Sequence, residues 1–185
     1  MRAQRQIIVQ MHGEPGSGKS TIARELGCAL PAVVIDKDVI KAALLRSGIG
    51  ESEAASAAYE AFFALAADLA AQGYSIILDN PVYWPRIQEK WIETANRHGS
   101  VRAMIECVCA DREELIRRLA GRPVLESQSR LPFAPRRASI DFEPSSPRLV
   151  LDTLLPVENN LQRALDYIEA TVHEQDGAAV AGASP

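Results

Sequence analysis

Short β-like apolar runs alternate with longer stretches of helical periodicity along this 185-residue chain. Residues 6–11, 32–35, 75–78, 101–109 and 148–151 read as strands. Residues 19–29, 38–47, 52–72, 84–97, 111–120 and 157–173 carry the three-to-four-residue spacing of helices. Strand followed by helix, repeated, predicts α/β architecture with a parallel sheet. The longest helix is Ala-rich, with Tyr59, Phe62, Phe63, Leu65 and Leu69 supplying the larger apolar side chains, and Gly73 is a natural residue to end it. Pro85 suits the first turn of the next helix, where its missing N–H costs nothing. Asp111 can cap the helix after the fourth strand, with Glu114 as capping-box partner.

Residues 122–147 break this rhythm. They hold five prolines, and the arginines Arg122, Arg130, Arg136 and Arg137. A 26-residue stretch without periodicity is long for a connection inside a compact domain, so it is expected to be a functional lid. Residues 1–173 are expected to form one domain, and residues 174–185, rich in Ala and Gly, an unstructured tail. No internal repeat is visible.

Composition changes this picture little. Hydrophobic content of 47% and charged content of 24% are ordinary for a globular protein. A net charge of −4 argues against non-specific nucleic-acid binding, which usually goes with a basic domain. No apolar stretch reaches the ~18 residues of a membrane span, and residues 1–5 lead directly into the first strand without a signal peptide, so a cytoplasmic location is expected. Cys28 reads as a buried helix residue. Cys107 and Cys109, two apart, read as one face of the fourth strand. All three are expected to be reduced core thiols, because a lone Cys-x-Cys is poor zinc spacing.

Chemistry enters at residues 13–20, Gly-Glu-Pro-Gly-Ser-Gly-Lys-Ser, a full G-x-x-x-x-G-K-[ST] phosphate loop. Such a match arises by chance in roughly one chain of this length in a few hundred, and here a strand precedes it and a helix follows, as its mechanism requires. The loop, Gly13, Glu14, Pro15, Gly16, Ser17, Gly18, Lys19, Ser20 and Thr21, is expected to bind a nucleoside triphosphate through backbone N–H groups at a helix N-terminus. Lys19 would reach the β- and γ-phosphates, and the Ser20 hydroxyl would ligate Mg²⁺.

Acidic residues end the next two strands. Asp36 and Asp38 follow Val33-Val34-Ile35 and should face the phosphate site, since ligands gather at the carboxyl ends of parallel strands. Asp38 is the candidate to accept the acceptor hydroxyl's proton, against the plainer role of helix cap; Asp36 is the candidate metal ligand. Asp79, ending Ile76-Ile77-Leu78, lies beside the loop if the first and third strands are neighbours. It would hold a Mg²⁺-bound water, or it is a turn Asp before Pro81. Arg118 and Arg122, four apart, could clamp the β/γ-phosphates and offset transition-state charge. The plainer reading is a solvated basic helix end. His12, His98 and His173 share no metal or catalytic spacing, and Trp84 and Trp91 read as packing.

Together the phosphate loop with Thr21, the stretch Val34-Ile35-Asp36-Lys37-Asp38-Val39-Ile40-Lys41, Leu78-Asp79-Asn80 and Arg118-x-x-x-Arg122 resemble the small P-loop kinases. These include the polynucleotide kinase, gluconate kinase, chloramphenicol phosphotransferase and zeta-toxin relatives, and the likeness runs from about residue 6 to 173. The resemblance implies a P-loop NTPase fold, a doubly wound five-stranded parallel sheet with the first strand central and a mobile arginine lid. It also implies ATP and Mg²⁺, and Asp38 in the place of the hydroxyl-activating Asp. Lys41 stands where some relatives carry Arg, a departure from the polynucleotide-kinase pattern. A kinase for a small-molecule hydroxyl is the first expectation. The alternatives are a kinase of polynucleotide 5′-hydroxyls or nucleotide sugars, and an NTP-hydrolysing switch. A GTP-type switch would show Asn-Lys-x-Asp and Asp-x-x-Gly, and the chain contains neither.

Overall fold

The computed structural model describes residues 5–81, 84–121, 125 and 148–181. The expected lid therefore lies outside the described residues apart from Leu125, and Arg122 lies outside them altogether. Eleven elements follow in the order β1 (Ile7–His12), α1 (Lys19–Ala29), β2 (Val33–Asp36), α2 (Lys37–Arg46), α3 (Glu51–Ala71), β3 (Ile76–Asp79), α4 (Pro85–Arg97), β4 (Val101–Val108), α5 (Arg112–Gly121), β5 (Arg148–Asp152) and α6 (Val157–Ala181). All strand pairs are parallel, and the sheet order is β2-β3-β1-β4-β5, with β1 at the centre.

Alternation along β1 shows why the sheet needs helices on both faces. Ile7, Val9 and Met11 pack with Ile22 and Leu26 of α1 and with Ala164 and Ile168 of α6. Ile8, between them, packs on the other face with Phe62 and Phe63 of α3 and Trp91 of α4. Trp91 also donates its indole N–H to Ile8 O at 3.3 Å, so the polar atom of this buried ring is satisfied. Gln10, fully buried on that second face, donates to Asn80 Oδ1 at 2.9 Å and ties the ends of β1 and β3 together.

Local signals act as their chemistry predicts. Gly73 adopts φ +88° after α3, with Gly73 N–H donating to Ala70 O and Tyr74 N–H to Leu69 O, the paired bonds of a Schellman ending. Pro85 is the first residue of α4. Asp111 Oδ1 accepts from the N–H groups of Glu113 and Glu114, and so caps α5.

Three expectations need correction. α6 continues to Ala181, where an unstructured tail was expected from 174. Alanine-rich sequence is helix-favouring, and Gln175 gives the helix an anchor. Its amide accepts from Arg102 N–H at 3.1 Å and donates to Arg102 O at 2.9 Å. These bonds satisfy the backbone of β4 near its start, ahead of the described β4–β5 pairing at Met104↔Arg148. Cys28 is exposed rather than buried, because it falls off the α1 stripe of Ile22, Ala23 and Leu26. Cys107 is buried, with burial pushing its thiol up to about 12, while Cys109 lies past the end of β4 and is only half-buried. The third correction concerns α3, which is long and apolar enough by length and composition to cross a membrane. Its alanines supply that average, and Phe62 and Phe63 spend their apolar surface on the sheet.

Gln175→Ala should remove both bonds to Arg102 and leave its backbone groups dependent on water. The expected cost is about 1–3 kcal/mol, read as a lower midpoint in urea unfolding with an unchanged slope.

Candidate functional site

The phosphate loop joins the central strand to α1. Gly18, the residue before the helix, sits at φ +81° and ψ 2°, a left-handed conformation that glycine adopts without strain. No side chain caps α1 and no acid lies in its first turn, so the helix presents unpaired N–H groups and the positive end of its dipole. That is an anion site built from backbone.

The loop is also clasped from behind. A Cβ built on Gly13 would stand 2.4 Å from Cys107 O and 2.5 Å from Ser17 Oγ. One on Gly16 would stand 3.0 Å from Leu119 Cγ of α5, and one on Gly18 3.3 Å from Thr153. Three glycines thus let β4, α5 and the turn after β5 close on the loop. The resulting cleft has a volume of about 490 Å³ and is lined by Glu14, Gly16 to Thr21, Arg24, Asp36 and Arg118, among others. Gly13, Pro15, Asp38 and Asp79 do not line it.

Strand order brings the acids together. β3 lies between β2 and β1, with Asp79 in register with Asp36 on one side and with Met11 on the other. The condition that placed Asp79 beside the loop is therefore met. Lys19 Nζ lies 3.3 Å from Asp79 Oδ1, within ion-pair range, yet that buried oxygen has no directed hydrogen bond among the described residues. Burial, and next the facing Asp79 carboxylate, raise the Asp36 carboxyl above its ordinary range. Arg24 reaches Asp36 only at 4.0 Å. His12, at the end of β1, is held down to about 4 by burial first and by Arg148 and Lys19 next, so it is neutral at pH 7.

These donors suit Mg²⁺, which takes oxygen ligands and keeps several waters. The Ser20 hydroxyl and the Asp36 carboxylate line the cleft, and Asp79 offers a buried oxygen without a hydrogen-bond partner. No cluster of three or more His, Cys, Asp and Glu occurs among the described residues, so an ion here would depend on water and phosphate for its other ligands.

Helix capping falls to Asp36, not to Asp38. Asp36 Oδ1 accepts from Asp38 N–H at 2.8 Å, and α2 starts one residue earlier than its periodicity suggested. Asp38 is left in the first turn with its carboxylate 2.5 Å from Lys37 Nζ. Arg118 does reach the cleft, held by Glu114 Oε1 at 2.6 Å, Thr153 Oγ1 at 3.0 Å and Thr153 O at 2.8 Å. Glu114, expected to serve the helix cap, gives its side chain to Arg117 and Arg118, and they hold its carboxyl below the ordinary range. Sequence reasoning missed Lys37, Arg24 and Thr153. Thr153 follows a strand end, a position where ligands gather, but a single threonine there carries no motif.

The family model described as an AAA domain matches residues 8–141. No curated protein sequence matches the chain significantly. Solved structures do. A sugar kinase from Janibacter sp. HTCC2649 is 19% identical with a TM-score of 0.65, covering 89% of this chain and 95% of its own. The APS kinase of Mycobacterium tuberculosis, solved with AMPPNP and APS, is 20% identical at TM-score 0.62, covering 90% and 99%. A gluconokinase from Sinorhizobium meliloti 1021 is 17% identical at TM-score 0.59, covering 93% and 97%. At these identities the likeness is one of fold, a five-stranded parallel P-loop sheet.

Gly13→Ala should force the loop away from Cys107 O or β4 away from the loop. Overpacking of this kind costs about 1–3 kcal/mol, so a melting temperature several degrees lower is expected by calorimetry.

Proposed function

This chain belongs to the AAA-domain family, and on that premise we propose that it is an ATP-dependent kinase transferring the γ-phosphate to a hydroxyl of a small-molecule acceptor. The observation that carries the reading is the uncapped α1 N-terminus flanked by Lys19 and by the facing carboxylates Asp36 and Asp79. A site that only bound an anion would have no use for two acids there. A site that moves a phosphoryl group needs cations for the phosphates and oxygens for the metal.

In this reading the loop amides and Lys19 hold the β- and γ-phosphates, and Arg118 turns from Glu114 toward the charge that develops during transfer. Ser20, Asp36 and Asp79 would hold Mg²⁺, which neutralises charge on the β,γ-oxygens. Asp38 accepts the acceptor hydroxyl's proton. The hydroxyl oxygen bonds to the γ-phosphorus as the bond from that phosphorus to the bridging oxygen breaks, and the bridging electrons leave with ADP. Lys37 Nζ, 2.5 Å from Asp38 Oδ1, holds that carboxylate in position. The electrostatic pairs also support the reading. Lys19 near Asp79 and Arg118 on Glu114 are cations held at the cleft by carboxylates, and phosphates could replace those carboxylates as partners, with the metal ion left to balance the buried Asp79.

Two substitutions test it. Lys19→Ala should weaken MgATP binding or turnover more than tenfold, equivalent to over ~1.4 kcal/mol, while the protein stays folded. Equal affinity and activity would refute the phosphate-loop assignment. Asp38→Asn removes the proton-accepting charge without touching the Asp36 cap. Transfer to the acceptor should fall by about 10²–10⁴-fold, with MgATP affinity nearly unchanged. Wild-type turnover by the folded variant would remove Asp38 from the mechanism and make Asp36 the next candidate.

A further inference from the structure

Every nitrogen of the Arg118 guanidinium has a protein partner. Nη1 donates to Thr153 Oγ1 at 3.0 Å, Nη2 to Thr153 O at 2.8 Å and Nε to Glu114 Oε1 at 2.6 Å. Two of these bonds go to one residue, the first after β5. Thr153 is anchored in turn. Its backbone N–H at 2.9 Å and its hydroxyl at 3.0 Å both donate to the carbonyl of Val108, the last residue of β4. With its proton committed there, the hydroxyl turns lone pairs toward Arg118, and a guanidinium, which only donates, needs an acceptor. The same threonine lies against the phosphate loop. A Cβ built on Gly18 would stand 3.3 Å from Thr153 Cβ and Cγ2, and 3.6 Å from Arg118 Nη1. Gly18 immediately precedes α1, so Arg118 is held beside the uncapped N–H groups of that helix.

We infer that Thr153 is a positioning residue for nucleotide binding: its hydroxyl, tied to the end of β4, sets the Arg118 guanidinium against Gly18, and Arg118 thereby belongs to the fixed wall of the phosphate site rather than to a closing lid. This rests on the kinase reading and adds a residue to it. A long side chain loses rotamer freedom when a ligand immobilises it, and one already held by the protein loses less. The two partners of Arg118 do different work. Glu114 is a carboxylate and competes with phosphate for the guanidinium. Thr153 is neutral, and it gives Arg118 a pivot that is kept when phosphate takes the place of Glu114.

The test is MgATP binding by titration calorimetry, which needs no acceptor. It compares wild type, Thr153→Val, Thr153→Ser, Arg118→Ala and the Thr153→Val/Arg118→Ala double variant. Valine keeps the shape of the side chain and its contact with Gly18 but lacks the hydroxyl. The Kd for MgATP should rise about 3- to 10-fold in Thr153→Val, the range of one ordinary hydrogen bond, and return most of the way in Thr153→Ser. With Arg118 already removed, Thr153→Val should change the Kd no further, since the two residues act as one unit. A threonine that merely ties β5 to β4 would instead lower the melting temperature and act on Kd equally in both backgrounds. Should valine prevent folding, Thr153→Ala completes the same cycle. Four results overturn the positioning role and leave the kinase reading standing: an unchanged Kd in Thr153→Val, no recovery in Thr153→Ser, an equal loss with and without Arg118, or wild-type affinity in Arg118→Ala. If wild type itself fails to bind MgATP, the kinase reading falls and the role of Thr153 falls with it.

Discussion

The open N-terminus of α1 is the constraint around which the rest of this molecule is arranged. Several backbone N–H groups point into one concavity, and no side chain of the helix caps them. Buried donors left without a partner cost free energy, so the loop is stable here because the cleft gives them water, or an anion in its place. Holding them in that pose requires the chain to turn sharply at Gly18 and to pass close to β4, α5 and the Thr153 turn, which only glycines at positions 13, 16 and 18 permit. The sheet is buried on both faces to keep that turn rigid. Central strand β1 carries it, and helices cover both faces of that strand.

Charge around the cleft is arranged in exchangeable pairs. Lys19 rests near Asp79, and Arg118 is held by Glu114 and Thr153. Asp36 is in register with Asp79 on the neighbouring strand, and burial together with that carboxylate makes it harder to ionise. In the proposed reaction a triphosphate arriving with a divalent cation would add negative charge beside Lys19 and Arg118, and positive charge where two carboxylates crowd. Each side of the exchange relieves the other, a property of the ensemble that no single residue carries. The neutral His12 adds no competing charge at pH 7.

Much of this was legible in the chain. Strand and helix periods set every element to within a residue or two over the described part, except where α6 runs on to Ala181. That miss has a local reason: a tail of small residues has no pattern of its own, and the side-chain amide of Gln175 that fixes it meets β4 from far away in sequence. The exposure of Cys28 was misjudged because one residue of a helix face cannot be placed before the helix has a partner. Glu114 looked like a capping residue because spacing fits that role equally well, and only the approach of Arg117 and Arg118 decided against it.

The sequence by itself determined the α/β class, the phosphate loop and the identity of its lysine, because those depend on residues near one another along the chain. Tertiary structure decided which acids meet. Asp36 and Asp79 are far apart in sequence, and they face each other only because β3 inserts between β2 and β1, a choice made by packing across the whole sheet. It also gave the α2 cap to Asp36 and left Asp38 beside Lys37, since with Lys37 as the first helical residue Asp38 falls within the first turn and no longer at the cap. The same long-range packing separated two tryptophans that look alike in sequence, burying Trp91 against Ile8 and leaving Trp84 partly exposed beside Tyr59. Local propensity selects the elements, but burial depends on what lies across the gap, and that neighbour is known only once the chain has folded.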